Sequence, residues 1–298
     1  MQPKVKVTLE VALLLIANLV FFGVYSYSEI KRAQMVEIET NLRMTLSKLT
    51  DYIDRWIQTK KENVTNTAYA LKDVDTMSEA QIKTILQNAT QASSGFDSFL
   101  GIESNGKMIY GSNTPQSVDP RTRAWYIMGK DTGKSGITDI YRSATQPFDL
   151  VSIMAPIVKN GKIIGVVATS FKLDFVVKAV NDVVFFGGYG MLLDNKKTII
   201  THPKAEYMGK ESKLSSLLKG DKEGTIEYTL EGSDKIFAYK VSSQSAWTPG
   251  IVFDKASIYE VTYKKIKDRI FVIGALIVLI LIGAFGYIYK LKDQPQAN

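Results

Sequence analysis

Two stretches of the chain carry almost no charge. Residues 7–27, VTLEVALLLIANLVFFGVYSY, hold one charged side chain, Glu10, and residues 270–289, IFVIGALIVLILIGAFGYIY, hold none. About twenty residues of α-helix rise roughly 30 Å, the thickness of a bilayer's hydrocarbon core. Both stretches are therefore predicted to be transmembrane helices. The first is too long for the core of a signal peptide and lacks a small-x-small cleavage site, so it is read as an uncleaved anchor. Residues 290–298 follow the second span as a short polar tail.

Between the spans the pattern changes twice. Over residues 28–71, Ile38, Leu42, Leu46, Leu49, Ile53, Trp56 and Ile57 recur at steps of three and four, separated by Glu, Lys, Thr and Asn. That spacing predicts a long amphipathic stalk helix continuing the first anchor. Its apolar stripe has two candidate partners, the domain that follows or the same helix of a second copy, and the second gives a parallel homodimer. SEAQIKTILQNAT, residues 78–90, predicts a short helix capped by Ser78, with Gln81 at the reciprocal third position.

Beyond it the period becomes two. FDSFLGIES and KMIYGS flank Asn105-Gly106, and a longer strand pair over residues 150–176 flanks Asn160-Gly161, both turns suited to positive dihedral angles. GYGMLLDNKKTIITHP (188–203) and GTIEYTLEGSDKIFAYKVS (224–242) predict two more strand pairs. The strands fall into two modules, residues 72–180 and 181–266, divided near the segment 172–188. Long helix, antiparallel sheet, short linker, second antiparallel sheet: the fold class is α+β.

Composition removes several functions. Lys and Arg total 37 against 30 Asp and Glu, a formal net charge of +7 over 298 residues. The lysines are scattered and several border the apolar spans, and no finger, P-loop or RNA-binding sheet signature accompanies them, so nucleic acid is not a predicted partner. Lysines lie on both sides of both spans (Lys4, Lys6, Lys31, Arg32, KKIKDR at 264–269, Lys290, Lys292), and their count does not set the orientation. The short termini and the cysteine-free central block favour a central block outside the cytoplasm. The sole histidine, His202, leaves no Ser/His/Asp set, and there is no HExxH and no Gly-rich phosphate loop. The chain is predicted to be neither an enzyme nor a cofactor or metal protein. Trp247 and His202 are read as structural.

One cluster remains, DPRTRAWY at residues 119–126. It presents two arginines, Arg121 and Arg123, beside Trp125 and Tyr126. Taken alone, such residues either line a pocket or form an ion pair over a core. Four segments together, DPRTRAWYIMGKDTGKSGITDIY (119–141), APIVKNGKIIGVVATSFKLDFV (155–176), GGYGMLLDNKKTIITHPKAEYMGK (187–210) and IFAYKVSSQSAWTPG (236–250), resemble the double Cache sensing domain of bacterial chemoreceptors and related transmembrane sensors. The resemblance covers nearly the whole chain. It implies two PAS-like lobes, the membrane-distal one binding a small molecule, and a location in the bacterial inner membrane with the sensing domain in the periplasm or outside the cell.

The resemblance assigns Arg123 to a ligand carboxylate, Trp125 and Tyr126 to an aromatic wall, and Tyr141 to a ligand-contacting hydroxyl. Guanidinium forks and rigid aromatic faces suit that chemistry. Arg121 is read as structural. Two positions depart from the amino-acid-sensing pattern: Ser143 and Ser170 stand where relatives carry aspartates that hold the ligand ammonium. A hydroxyl cannot neutralise a buried ammonium. The expected ligand is therefore a small organic acid, held by Arg123, Trp125, Tyr126, Tyr141, Ser143 and Ser170, unless Asp139 or Asp149 enters the pocket. Other outputs of the same architecture are the sensor region of a histidine kinase or diguanylate cyclase, an amino-acid sensor, or an anchored module that docks a periplasmic binding protein or a cytoplasmic signalling partner.

Overall fold

The structure, a computed structural model, describes residues 3–112, 118–143 and 148–292. The tail beyond residue 292 lies outside the described residues. Two compact units are present, one from Met1–Arg43 with Asp254–Asn298 and one from Met44–Phe253.

In the first unit, the beginning of helix α1 (Pro3–Ala70) and helix α5 (Lys255–Lys292) supply the two apolar spans. Both are long and apolar enough to cross a membrane. Their large side chains point outward, Phe21 at 74% and Phe271 at 77% exposure. An outward apolar surface is what a helix needs in lipid. Gly23 lets the helices approach, since a methyl group there would stand 3.1 Å from Ile273 Cδ1.

The second unit holds both sheets. The first lobe is a six-stranded sheet of β1 (Asp97–Ile102), β2 (Met108–Tyr110), β3 (Gly136–Ile137), β4 (Tyr141–Arg142), β5 (Asp149–Lys159) and β6 (Lys162–Lys172). Its order is β2-β1-β6-β5-β3, with β4 also pairing β5. The second lobe orders β7 (Tyr189–Leu193), β8 (Ile199–Thr201), β9 (Glu223–Leu230), β10 (Ser233–Lys240) and β11 (Thr248–Asp254) as β8-β7-β11-β10-β9. The short connection between the modules contains a helix, α4 (Asp174–Asn181).

Local sequence rules account for the element ends. Helix α2 (Glu79–Ser93) begins at the reciprocal cap, with the Gln81 N–H donating to Ser78 Oγ (3.3 Å) and the Ser78 N–H to Gln81 Oε1 (2.9 Å). The β5–β6 turn places Asn160 at φ 51° and Gly161 at 76°, and the β9–β10 turn places Glu231 at 52° and Gly232 at 80°. Consecutive positive dihedrals match the twist of a two-residue hairpin.

Burial departs from simple alternation. β5 and β6 are buried almost continuously because both faces of the sheet are covered. On one face, Leu49, Ile53 and Ile57 of α1 and Ile82 and Leu86 of α2 pack with Leu100, Val151, Ile153 and Val167. The same core takes in Val176 and Val180 of α4 and Leu192 and Trp247 of the second lobe, so both sheets lie on one helix. On the other face, Phe99, Met154, Val166 and Ala168 meet α3 (Ala124–Thr132) through Trp125 and Tyr126. The α1 stripe is thus buried within its own chain from Ile38 through Ile57, with Trp56 edge-on to Phe171 at 5.7 Å. Of the two partners considered for the stripe, the chain's own domain covers it from Leu49 through Ile57.

Candidate functional site

The α3 face of the first sheet does not close completely. Between α3, the segment 138–143 and the ends of β1, β2 and β6 lies a cavity of about 740 Å³, large enough for a small metabolite. Phe96, Phe99, Tyr110, Trp125 and Met128 form its apolar wall. Phe99 and Trp125 meet edge to face, with ring centres 5.0 Å apart.

Five of the six residues expected from the sequence line this cavity: Arg123, Trp125, Tyr141, Ser143 and Ser170. Arg123 sits at the N-terminal end of α3 after a single 3-10 turn, Pro120–Thr122. Among the described residues its guanidinium forms no ion pair. Tyr126, one residue beyond Trp125, turns the other way into the core. Its hydroxyl donates to Glu103 Oε2 (2.6 Å), and Lys130 Nζ holds the other carboxylate oxygen at 2.6 Å. Burial and that carboxylate push the Tyr126 hydroxyl well above the usual tyrosine range. Arg121 pairs with Asp119 (2.7 Å), a structural role.

Tyr141 closes a small network of hydroxyls. Its OH lies 2.7 Å from Ser152 Oγ and 2.8 Å from Ser170 Oγ, and the two serines are 3.1 Å apart. Cross-strand register explains the meeting, because Ser152 on β5 is directly opposite Ser170 on β6. These hydroxyls satisfy one another and carry no charge.

The acids occupy other places. Asp139 lines the cavity, yet its carboxylate is engaged by Lys196 Nζ (2.8 Å) and Asn195 Nδ2 (2.6 Å), from the β7–β8 turn of the second lobe. Those two donors hold its pKa below the usual range. Asp149 pairs with Arg142 at 3.2 Å. The sequence reading did not single out Asp97, the first residue of β1, which also lines the cavity. Asp97 accepts from the Ser112 N–H (3.1 Å) and Oγ (2.7 Å). Burial still raises its pKa, since two neutral donors do not offset the loss of water. Its only sequence signal is sharing strand parity with Phe99, which no local motif marks. Among the described residues no cluster of His, Cys, Asp and Glu could hold a metal ion.

A family model described as Cache domain, dCache_1, matches residues 26–262. The methyl-accepting chemotaxis protein McpA of Bacillus subtilis (strain 168) is 27% identical over 201 residues, covering 62% of this chain. The chain spans only 30% of the length of that relative. Among solved structures, the ligand-binding domain of Mlp24 with asparagine superposes with a TM-score of 0.64 at 23% identity, covering 78% of this chain and 98% of that one. The ligand-binding domain of the amino acid chemoreceptor PctB of Pseudomonas aeruginosa PAO1, in complex with L-Gln, gives 0.62 at 25% identity, covering 74% and 92%.

Proposed function

This chain belongs to the Cache domain family, and from that membership we propose that its first lobe is the small-molecule input of a membrane receptor. Apolar helices of membrane-spanning length stand at both ends of the Cache region, which places the sensing region between them outside the cytoplasm. The relatives are sensory receptors rather than enzymes, and the methyl-accepting chemotaxis relative favours chemotaxis signalling as the output of the whole protein.

The observation that carries the ligand reading is Arg123. A guanidinium facing an aromatic-walled cavity, with no ion-pair partner among the described residues, is a ready hydrogen-bond donor to a carboxylate. Trp125 supplies a rigid face beside it, and Tyr141 and Ser170 supply neutral hydrogen bonds. The ligand is a small carboxylate-bearing metabolite. Amino acids are the favoured class, given that PctB was solved with L-Gln.

Titration calorimetry of the chain in nanodiscs, against panels of L-amino acids and organic acids, tests this. Charge-assisted hydrogen bonds contribute about 1.5–3 kcal/mol, so Arg123→Ala should weaken binding roughly tenfold to a hundredfold. A carboxylate probe that binds equally well to the alanine variant removes Arg123 from the site.

A further inference from the structure

Four charged side chains define the electrostatics of the first-lobe cavity. Two are neutralised within the fold, Asp139 by Lys196 and Arg142 by Asp149. The other two, Arg123 and Asp97, form no ion pair among the described residues. They are opposite in sign and reach the cavity from different elements, Arg123 from the start of α3 and Asp97 from the first position of β1.

We propose that Asp97 is the cation receptor of this pocket, and that the ligand therefore carries a protonated amine as well as a carboxylate. The inference rests on the Arg123 reading above and sharpens it. Cross-strand register supplies the geometric reason. Asp97 on β1 is directly opposite Ser170 on β6, and Ser170 is directly opposite Ser152 on β5. Opposed residues of antiparallel strands project to the same face, and neighbouring strands lie about 4.8 Å apart. The three side chains make one row on the cavity side of the sheet, of which Asp97 and Ser170 line the cavity, and the acid stands one strand over from Ser170. Ser143 and Ser170 are neutral, but the row is not.

The surroundings fit a receptor rather than a buried structural acid. A carboxylate offers about four lone-pair positions; the hydrogen bonds from Ser112 N–H and Oγ use two of them and the Ser98 N–H engages a third more weakly, leaving room for one more donor. Tyr110 and Phe99 share the same cavity wall and provide aromatic surface beside which an ammonium is favourable. Burial raises the pKa of Asp97, because neutral hydrogen-bond donors do not offset the loss of water.

Matched probes separate the two ends of the ligand. For each amino acid in a panel of small neutral ones, the corresponding 2-hydroxy acid and primary amine are titrated into the full chain in nanodiscs. The wild-type chain is expected to bind at least one amino acid roughly tenfold or more tightly than its hydroxy acid. Asp97→Asn should lower amino-acid affinity roughly tenfold to a hundredfold while leaving the hydroxy acid unchanged or improved, which also shows that the variant is folded. Moving the acid along the row, Asp97→Ser with Ser170→Asp, should restore much of the amino-acid affinity. Hydroxy-acid binding equal to amino-acid binding, with Asp97→Asn silent and Arg123→Ala damaging, overturns the cation receptor and leaves the carboxylate reading standing. Loss of neither ligand in Arg123→Ala, or no binding by any probe, overturns both.

Discussion

Replacing Asp54 by alanine should loosen the β10–β11 turn of the second lobe from the helix that carries it. Asp54 lies on α1, and its carboxylate gathers the β10–β11 turn: Ser242 Oγ donates to Oδ1 at 2.6 Å, and Ser243 Oγ and N–H donate to Oδ2 at 2.6 and 3.1 Å. Ser242 Oγ in turn accepts from the Gln244 and Ser245 N–H groups (3.1 and 3.2 Å), so the acid organises a turn that holds Ala246 at φ 59°. Its charge also opposes the burial that lowers the Lys61 pKa, and the Lys61 ammonium is bonded to the Gln244 carbonyl at 2.9 Å. Hydrogen bonds to a charged acceptor contribute about 1.5–3 kcal/mol each, less for a partly exposed, non-additive set, so the whole truncation should cost about 3 kcal/mol. For a domain of this size each kcal/mol shifts the melting midpoint by about 2–4 °C, giving a fall of roughly 6–12 °C. Circular dichroism melts of wild-type, Asp54→Ala and Asp54→Asn chains in detergent provide the measurement. The asparagine keeps one acceptor and should lose about half as much. A shift under about 2 °C for alanine would refute the view that this carboxylate ties the turn to α1.

Two further perturbations follow from the same unit. His202 lies between Tyr189 and Tyr207, its Nδ1 accepts the Lys204 N–H at 3.0 Å, and burial lowers its pKa. The folded state therefore holds fewer protons than the unfolded state, and stability should fall as pH drops below the ordinary value of about 6.5. His202→Asn, which retains a side-chain acceptor for the turn, should flatten the pH dependence of the melting midpoint between about pH 7 and 5; equal slopes would exclude the histidine as its source. Gly190→Ala would bring a methyl within 2.0 Å of the Val180 carbonyl oxygen where α4 ends on β7. The rigid backbone there should make it cost about 2–3 kcal/mol in denaturant melts, and a neutral substitution would contradict the close packing of α4.

The first-lobe pocket was legible in part. DPRTRAWY drew attention to Arg123 and Trp125, but taken alone it left pocket lining and core packing equally open, and the resemblance to double Cache domains supplied the assignment. It could not say that Trp125 faces the cavity while Tyr126 turns to Glu103, 23 residues back in the chain. Successive positions at the start of a helix diverge by about a hundred degrees, and only the packed neighbours decide which direction is core.

By itself the sequence determined what the backbone enforces over a few residues. Apolar runs long enough for a bilayer, the Ser78–Gln81 cap, the Asn160-Gly161 turn and the stripe of α1 all depend on side chains adjacent in sequence or one helical turn apart. The tertiary structure alone decided what covers the stripe, why β5 is buried on both faces, and where the pocket's charges lie. Asp97 and Ser170 face one row only because β1 and β6 pair in one register, and a slip of a single residue would send Asp97 to the opposite face. That register is set by the whole apolar packing of the sheet against α1, α2 and α3, which no short segment encodes.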